Sequence, residues 1–85
     1  MPKNRKNHIV ADIIRKIRSE TGLTQTQAGL AMNVSNVYIS NLETGKRSPS
    51  IIQLIRFCDA IGVDPERAFR LIIEKYRSMP DGQRH

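Results

Sequence analysis

The feature that most restricts the fold is the short, repeated interval between residues that end helices and residues that begin them. Gly22 is followed by Thr24, Asn33 by Ser35, Gly45 by Ser50, and Gly62 by Asp64 and Pro65. Glycine and asparagine accept the left-handed backbone that closes a helix, while Thr, Ser and Asp accept a hydrogen bond from the orphan amides that open the next. Between these marks apolar residues recur at three- and four-residue spacing, and nowhere do they alternate over a stretch long enough for a sheet. The expected fold class is all-α, a compact bundle of five helices.

The first helix is expected to begin near His8, with Ile9, Val10, Ile13, Ile14 and Ile17 inward and Asp12, Arg15, Lys16 and Arg18 between them. Thr24 caps a second helix that runs to about Met32, and Ser35 caps a third from Asn36 to about Thr44, with Ile39 and Leu42 inward. Ser50 and Gln53 have capping-box spacing at the start of the fourth, whose expected buried stripe is Ile51, Leu54, Ile55, Cys58 and Ile61. Asp64 and Pro65 open the fifth, which carries Phe69, Ile72, Ile73 and Tyr76 on one stripe with Leu71 off it. Residues 1–7, with Lys3, Arg5 and Lys6, lack apolar periodicity and read as a flexible basic leader. Residues 8–79 form the domain, and residues 80–85, with Pro80 and Gly82, a flexible tail.

Charge narrows the partners. The 85 residues include 14 Lys and Arg against 8 Asp and Glu, a net charge of +6, which favours a polyanion: nucleic acid first, an anionic membrane surface second. No run of about 18 apolar residues is present to span a bilayer. The first residues lack the apolar stretch and cleavage site of a secretory signal, so the expected location is the cytoplasm. The single cysteine, Cys58, lies near Ile55, Phe57 and Ile61 and reads as a buried thiol. His8 and His85 stand near the termini, and no metal-ligand spacing, phosphate-binding glycine loop or nucleophile motif occurs. No enzyme activity, metal or cofactor is expected.

Two short helices joined by a tight turn, the second anchored by Ile39 and Leu42 and presenting Asn36, Val37, Ser40 and Asn41 outward, meet the requirement for reading a major groove. That groove is about 12 Å wide and admits one helix. The small residues Ala28 and Gly29 let the two helices approach, while Asn33 and Val34 supply the turn and its plug. Asparagine can donate and accept together, which suits an adenine edge, and Val37 suits a thymine methyl. The outward row has neither Arg nor Lys, so A·T pairs are expected where discrimination is strongest. Lys46 and Arg47 add charge where phosphates would pass.

The stretch LTQTQAGLAMNVSNVYISNLETGKRSPSIIQLIRFCDAIGVDP, residues 23–65, resembles the helix-turn-helix domains of the lambda repressor and Cro family. The resemblance rests on the joint order of Leu23-Thr24-Gln25, Val34-Ser35, Tyr38-Ile39-Ser40, Leu42-Glu43, Gly45-Lys46 and Pro49-Ser50. It implies DNA phosphate contacts from Thr24, Gln25, Tyr38, Lys46, Arg47 and Ser48, and base contacts from Asn36, Val37, Ser40 and Asn41. It also implies an ion pair between Arg18 and Glu43, although Glu43 has a second reading, a half-exposed acid that a basic partner keeps from repelling phosphate. Ala28 and Gly29 stand where the family usually has Leu and Ala, so the second helix is expected to pack less bulk. Leu30 replaces a usually polar residue and is either a partner contact or an isolated exposed leucine. The fifth helix is longer than the family's short last helix, reaching about Ser78.

The expected function is sequence-specific binding of double-stranded DNA as a transcription regulator, a repressor acting as a homodimer on an inverted-repeat operator. Phe69, Leu71, Ile72 and Tyr76 are the candidate dimer interface. The alternative is an antitoxin-type module, which would bind a toxin protein and regulate its own operon.

Overall fold

The computed structural model describes residues 5–80 and residue 82, with side chains from His8 onward. The leader positions 1–4, Lys3 among them, and positions 81 and 83–85 lie outside the described residues. Five helices follow in chain order: α1 (Arg5–Thr21), α2 (Gln25–Met32), α3 (Asn36–Thr44), α4 (Ile51–Ile61) and α5 (Pro65–Arg77). No strand occurs among the described residues. Helix α1 starts three residues ahead of the expected position near His8, so Arg5, Lys6 and Asn7 belong to it rather than to the leader. Apolar periodicity marks where a helix packs, not where it ends, and Arg and Lys are good helix formers without it.

Each junction is made by the residues that mark it in the sequence. Thr24, Ser35 and Ser50 accept the amides of Gln27, Tyr38 and Gln53 at 3.1 Å each, and Asp64 accepts that of Glu66 at 3.0 Å. Gln27 and Gln53 reach back to the backbones of Thr24 and Ser50, completing two capping boxes. Only the second was expected; Thr24-x-x-Gln27 has the same spacing and was legible. Asn33, at φ 60°, is the one non-glycine residue with positive φ among those described. That left-handed step turns the chain so that the Val34 amide donates to the Gly29 carbonyl at 2.8 Å.

The core gathers Ile13, Ile14 and Ile17 of α1, Ala28 and Met32 of α2, Ile39 and Leu42 of α3, Leu54, Phe57, Cys58 and Ile61 of α4, and Ala68 of α5. Ile51 departs from its expected place in the buried stripe, being 67% exposed beside Ile52. A stripe position is buried only where another element lies opposite, and among the described residues little covers the first turn of α4 at Ile51. Ile55 is half-buried. The other departure is on α5, where Leu71 packs against the core while Ile73 and Tyr76 are exposed. The inward face of α5 is the row Ala68, Leu71, Ile72, rotated from the expected stripe. Lys75 continues this row and bonds Asp12 at 3.1 Å, while Arg67 bonds Glu20 at 2.8 Å. These pairs tie α5 antiparallel to α1.

Candidate nucleic-acid interface

The α2–α3 pair is built around a close contact. A Cβ on Gly29 would stand 2.8 Å from the Val34 carbonyl oxygen and 3.3 Å from backbone atoms of Ser35. Any side chain there would push the turn and the start of α3 away from α2. The small bulk expected to weaken α2 is therefore what brings α3 to its position.

On α3, Ile39 and Leu42 are buried, and the opposite face carries the outward row. Asn36 is exposed, Val37 is 61% exposed, and Ser40 and Asn41 are half-buried. The loop after α3 folds back on it, the Arg47 amide donating to the Asn41 carbonyl at 3.1 Å. Lys46, Arg47 and Ser48 are exposed, and the Arg47 guanidinium lies 5.4 Å from the centre of the Tyr38 ring, a cation–π distance. This stacking joins two of the expected phosphate contacts and has no sequence signal, because the residues lie nine positions apart across a loop. Thr24 is exposed at the start of α2, and its oxygen serves as the cap.

Glu43 is 3% exposed, so the reading of it as a half-exposed surface acid is corrected: it lies on the inward side of α3 with Leu42. Arg18 Nε donates to Glu43 Oε2, and Arg18 Nη2 donates to Oε1 at 2.8 Å. Arg18 Nη1 donates to the Leu23 carbonyl at 2.8 Å, and Gln25 Nε2 donates to Glu43 Oε1 at 3.1 Å. The bond to Glu43 raises the Arg18 pKa above its ordinary value, outweighing the opposing effect of burial. One buried carboxylate thus connects α1, the α1–α2 link, the first residue of α2 and the last turn of α3. Gln25, expected only as a phosphate contact, is also part of this network.

Phe69, Leu71 and Ile72 are half-buried against the core, and Tyr76 is 38% exposed. The apolar surface of α5 is therefore centred on Ile73 and Tyr76. Leu30, at 76% exposed, stands alone on α2. Among the described residues no group of three or more His, Cys, Asp or Glu is placed to hold a metal ion, and no helix is long and apolar enough to cross a membrane.

The arrangement is a short helix, a tight turn and a second helix with an exposed small and polar face, and residues 14–67 match the family model HTH_3, described as helix-turn-helix. The chain belongs to the helix-turn-helix family. It is a DNA-binding transcription regulator of the lambda repressor and Cro type. An uncharacterized HTH-type transcriptional regulator of Sinorhizobium fredii, y4dJ, is 36% identical over 55 residues, which span 65% of this chain and 71% of that one. The wild-type restriction-modification controller protein C.Esp1396I superposes with a TM-score of 0.78 at 27% identity, over 87% of this chain and 96% of its own. The clp gene regulator ClgR of C. glutamicum gives 0.75 at 25% identity, over 88% of this chain and 95% of its own.

Proposed function

We propose that this helix-turn-helix protein is a repressor that binds an inverted-repeat operator as a homodimer, with α3 in the major groove of each half-site. The observation that carries this reading is the outward row of Asn36 and Val37, both exposed, and Ser40 and Asn41, both half-buried, on a helix anchored by Ile39 and Leu42. A groove-reading helix needs side chains that can meet base edges and a rigid mount behind them. Gln25 at the start of α2 bonds Glu43 in the last turn of α3, the loop with Lys46, Arg47 and Ser48 folds back on Asn41, and Arg47 lies over the Tyr38 ring. Backbone amides at a helix start and exposed cations suit phosphates, which position the protein without specifying sequence. The two sets divide the work between base preference and affinity.

One α3 reads only a few base pairs, too few to single out an operator among competing genomic sites, and a twofold dimer doubles the reading. Ile73 and Tyr76 on α5, with the exposed Ile51 and Ile52 on α4, supply apolar surface for a second copy. The experiment is selection of bound duplexes from a random pool, followed by titration of variants on the selected site. Asn41→Ala is expected to relax preference at one position of each half-site with a loss of about 1–3 kcal/mol. Lys46→Ala should weaken all sequences alike and lower the salt slope by about one. Selected sites without twofold symmetry, or an Asn41→Ala protein with unchanged preference, would overturn the docking.

A further inference from the structure

We propose that Glu43 is a positioning residue for DNA: it holds the side-chain amide of Gln25 in one orientation, so that a single amide N–H is left to donate to a phosphate at the start of α2. This rests on the reading of Gln25 as a phosphate contact. The amide of glutamine has two faces of opposite character, an acceptor oxygen and a nitrogen with two donor protons, and turning it over exchanges them. An isolated glutamine at a surface therefore presents either face to an anion. An ionised carboxylate only accepts, so the 3.1 Å contact between Gln25 and Glu43 Oε1 must be made by Nε2. Turning the amide would set its oxygen against a carboxylate oxygen.

Glu43 is itself held from several sides. Its side chain is buried, Arg18 engages both oxygens, and Arg18 is anchored in turn on the Leu23 carbonyl, one residue before the Thr24 cap. Oε1 receives Arg18 Nη2 at 2.8 Å and Gln25 Nε2 at 3.1 Å together. The arginine also neutralises the carboxylate, so a negative group next to a phosphate-binding position does not repel the anion it helps to bind. The three side chains act in series: Arg18 fixes and neutralises Glu43, Glu43 orients Gln25, and Gln25 donates.

The test is a double-mutant cycle on affinity for the selected duplex, with Gln25→Ala, Glu43→Asp and the double variant. Glu43→Asp keeps the charge for Arg18 and draws the carboxylate away from Gln25 by one methylene. If the orientation matters, Gln25→Ala and Glu43→Asp each lower affinity by about 2–10-fold, the worth of one net hydrogen bond. In the Gln25→Ala background, Glu43→Asp then changes affinity less than about 2-fold. A full loss in both backgrounds would make Glu43 structural only and overturn the proposal. The side-chain NH2 resonances of Gln25 give a second readout that needs no substitution. On adding duplex to the wild type, one proton should keep its carboxylate-bonded shift while the other moves. Movement of both, or of neither, also overturns it. If the wild type bound no duplex at all, the DNA reading itself would fall, separately from the role of Glu43.

Discussion

Helices α3 and α5 both pack on α1, but what holds them there differs. Helix α3 is tied from the inside: Ile39 and Leu42 are buried, the nearly buried Glu43 meets Arg18, and the Val34 carbonyl takes the space a side chain on Gly29 would need. Helix α5 is held at its margins. Ala68 is its one buried residue, flanked by half-buried Leu71 and Ile72 and by ion pairs to Asp12 and Glu20 that are all more than a third exposed. Exposed pairs of this kind contribute little and are screened by salt. A helix proposed to read DNA must keep its geometry, since a small displacement moves every donor on its outer face. A helix proposed to meet a second copy has to keep apolar surface outside its own core. The same α1 serves both, with Arg18 turned toward α3 and Asp12 and Glu20 toward α5.

The contrast is open to direct attack. The largest effect is expected from Ile39→Ala, which empties a fully buried site on the inner face of α3 and should lower unfolding stability by about 2–5 kcal/mol. A loss below 1 kcal/mol in a denaturant titration would mean that α3 is not mounted as tightly as its burial implies. Next comes Gly29→Val. Its side chain would meet the Val34 carbonyl, and overpacking of this kind costs about 1–3 kcal/mol. An unchanged melting temperature would show that the turn can yield.

The interior shared by the two regions has its own signature in pH. Burial first, and then the charges of Asp59 and Asp64, push the Cys58 thiol up to about 11. Between the ordinary cysteine value, near 9, and about 11, the unfolded chain releases this proton while the native protein keeps it. The unfolded state then binds fewer protons, so stability falls as pH rises, by up to about 3 kcal/mol across the window. Subtracting the profile of Cys58→Ala isolates this slope; parallel curves would place the thiol in contact with water. The smallest effect is the counterpart of the first. Ile73→Ala, on the exposed side of α5, should shift monomer stability by no more than about 0.5 kcal/mol, while weakening self-association in sedimentation. A core-sized loss in the monomer would erase the difference between the two helices.

Much of the fold was legible because helix ends are local. Thr24, Asn33, Ser35, Gly45, Ser50, Gly62 and Asp64 make their hydrogen bonds or left-handed turns with residues a few positions away, so their meaning is readable in sequence order. The same holds for the inward pair Ile39 and Leu42 and for the outward row of α3, which follow from helical period once its ends are known. The start of α1 was less legible, since Arg5 and Lys6 carry no apolar signal.

What the sequence by itself determined is thus the number of helices, their order, and which face of α3 is anchored. The tertiary structure decided the rest: that Ile51 stays largely exposed, that Leu71 and not Tyr76 turns inward, and that Glu43 is buried and reaches Gln25 as well as Arg18. Each of these depends on what lies opposite a side chain. Helical period fixes the direction of a side chain relative to its own axis, but burial and pairing arise only when a second axis is set beside the first, and residues 25 and 43 meet through packing that no local rule encodes.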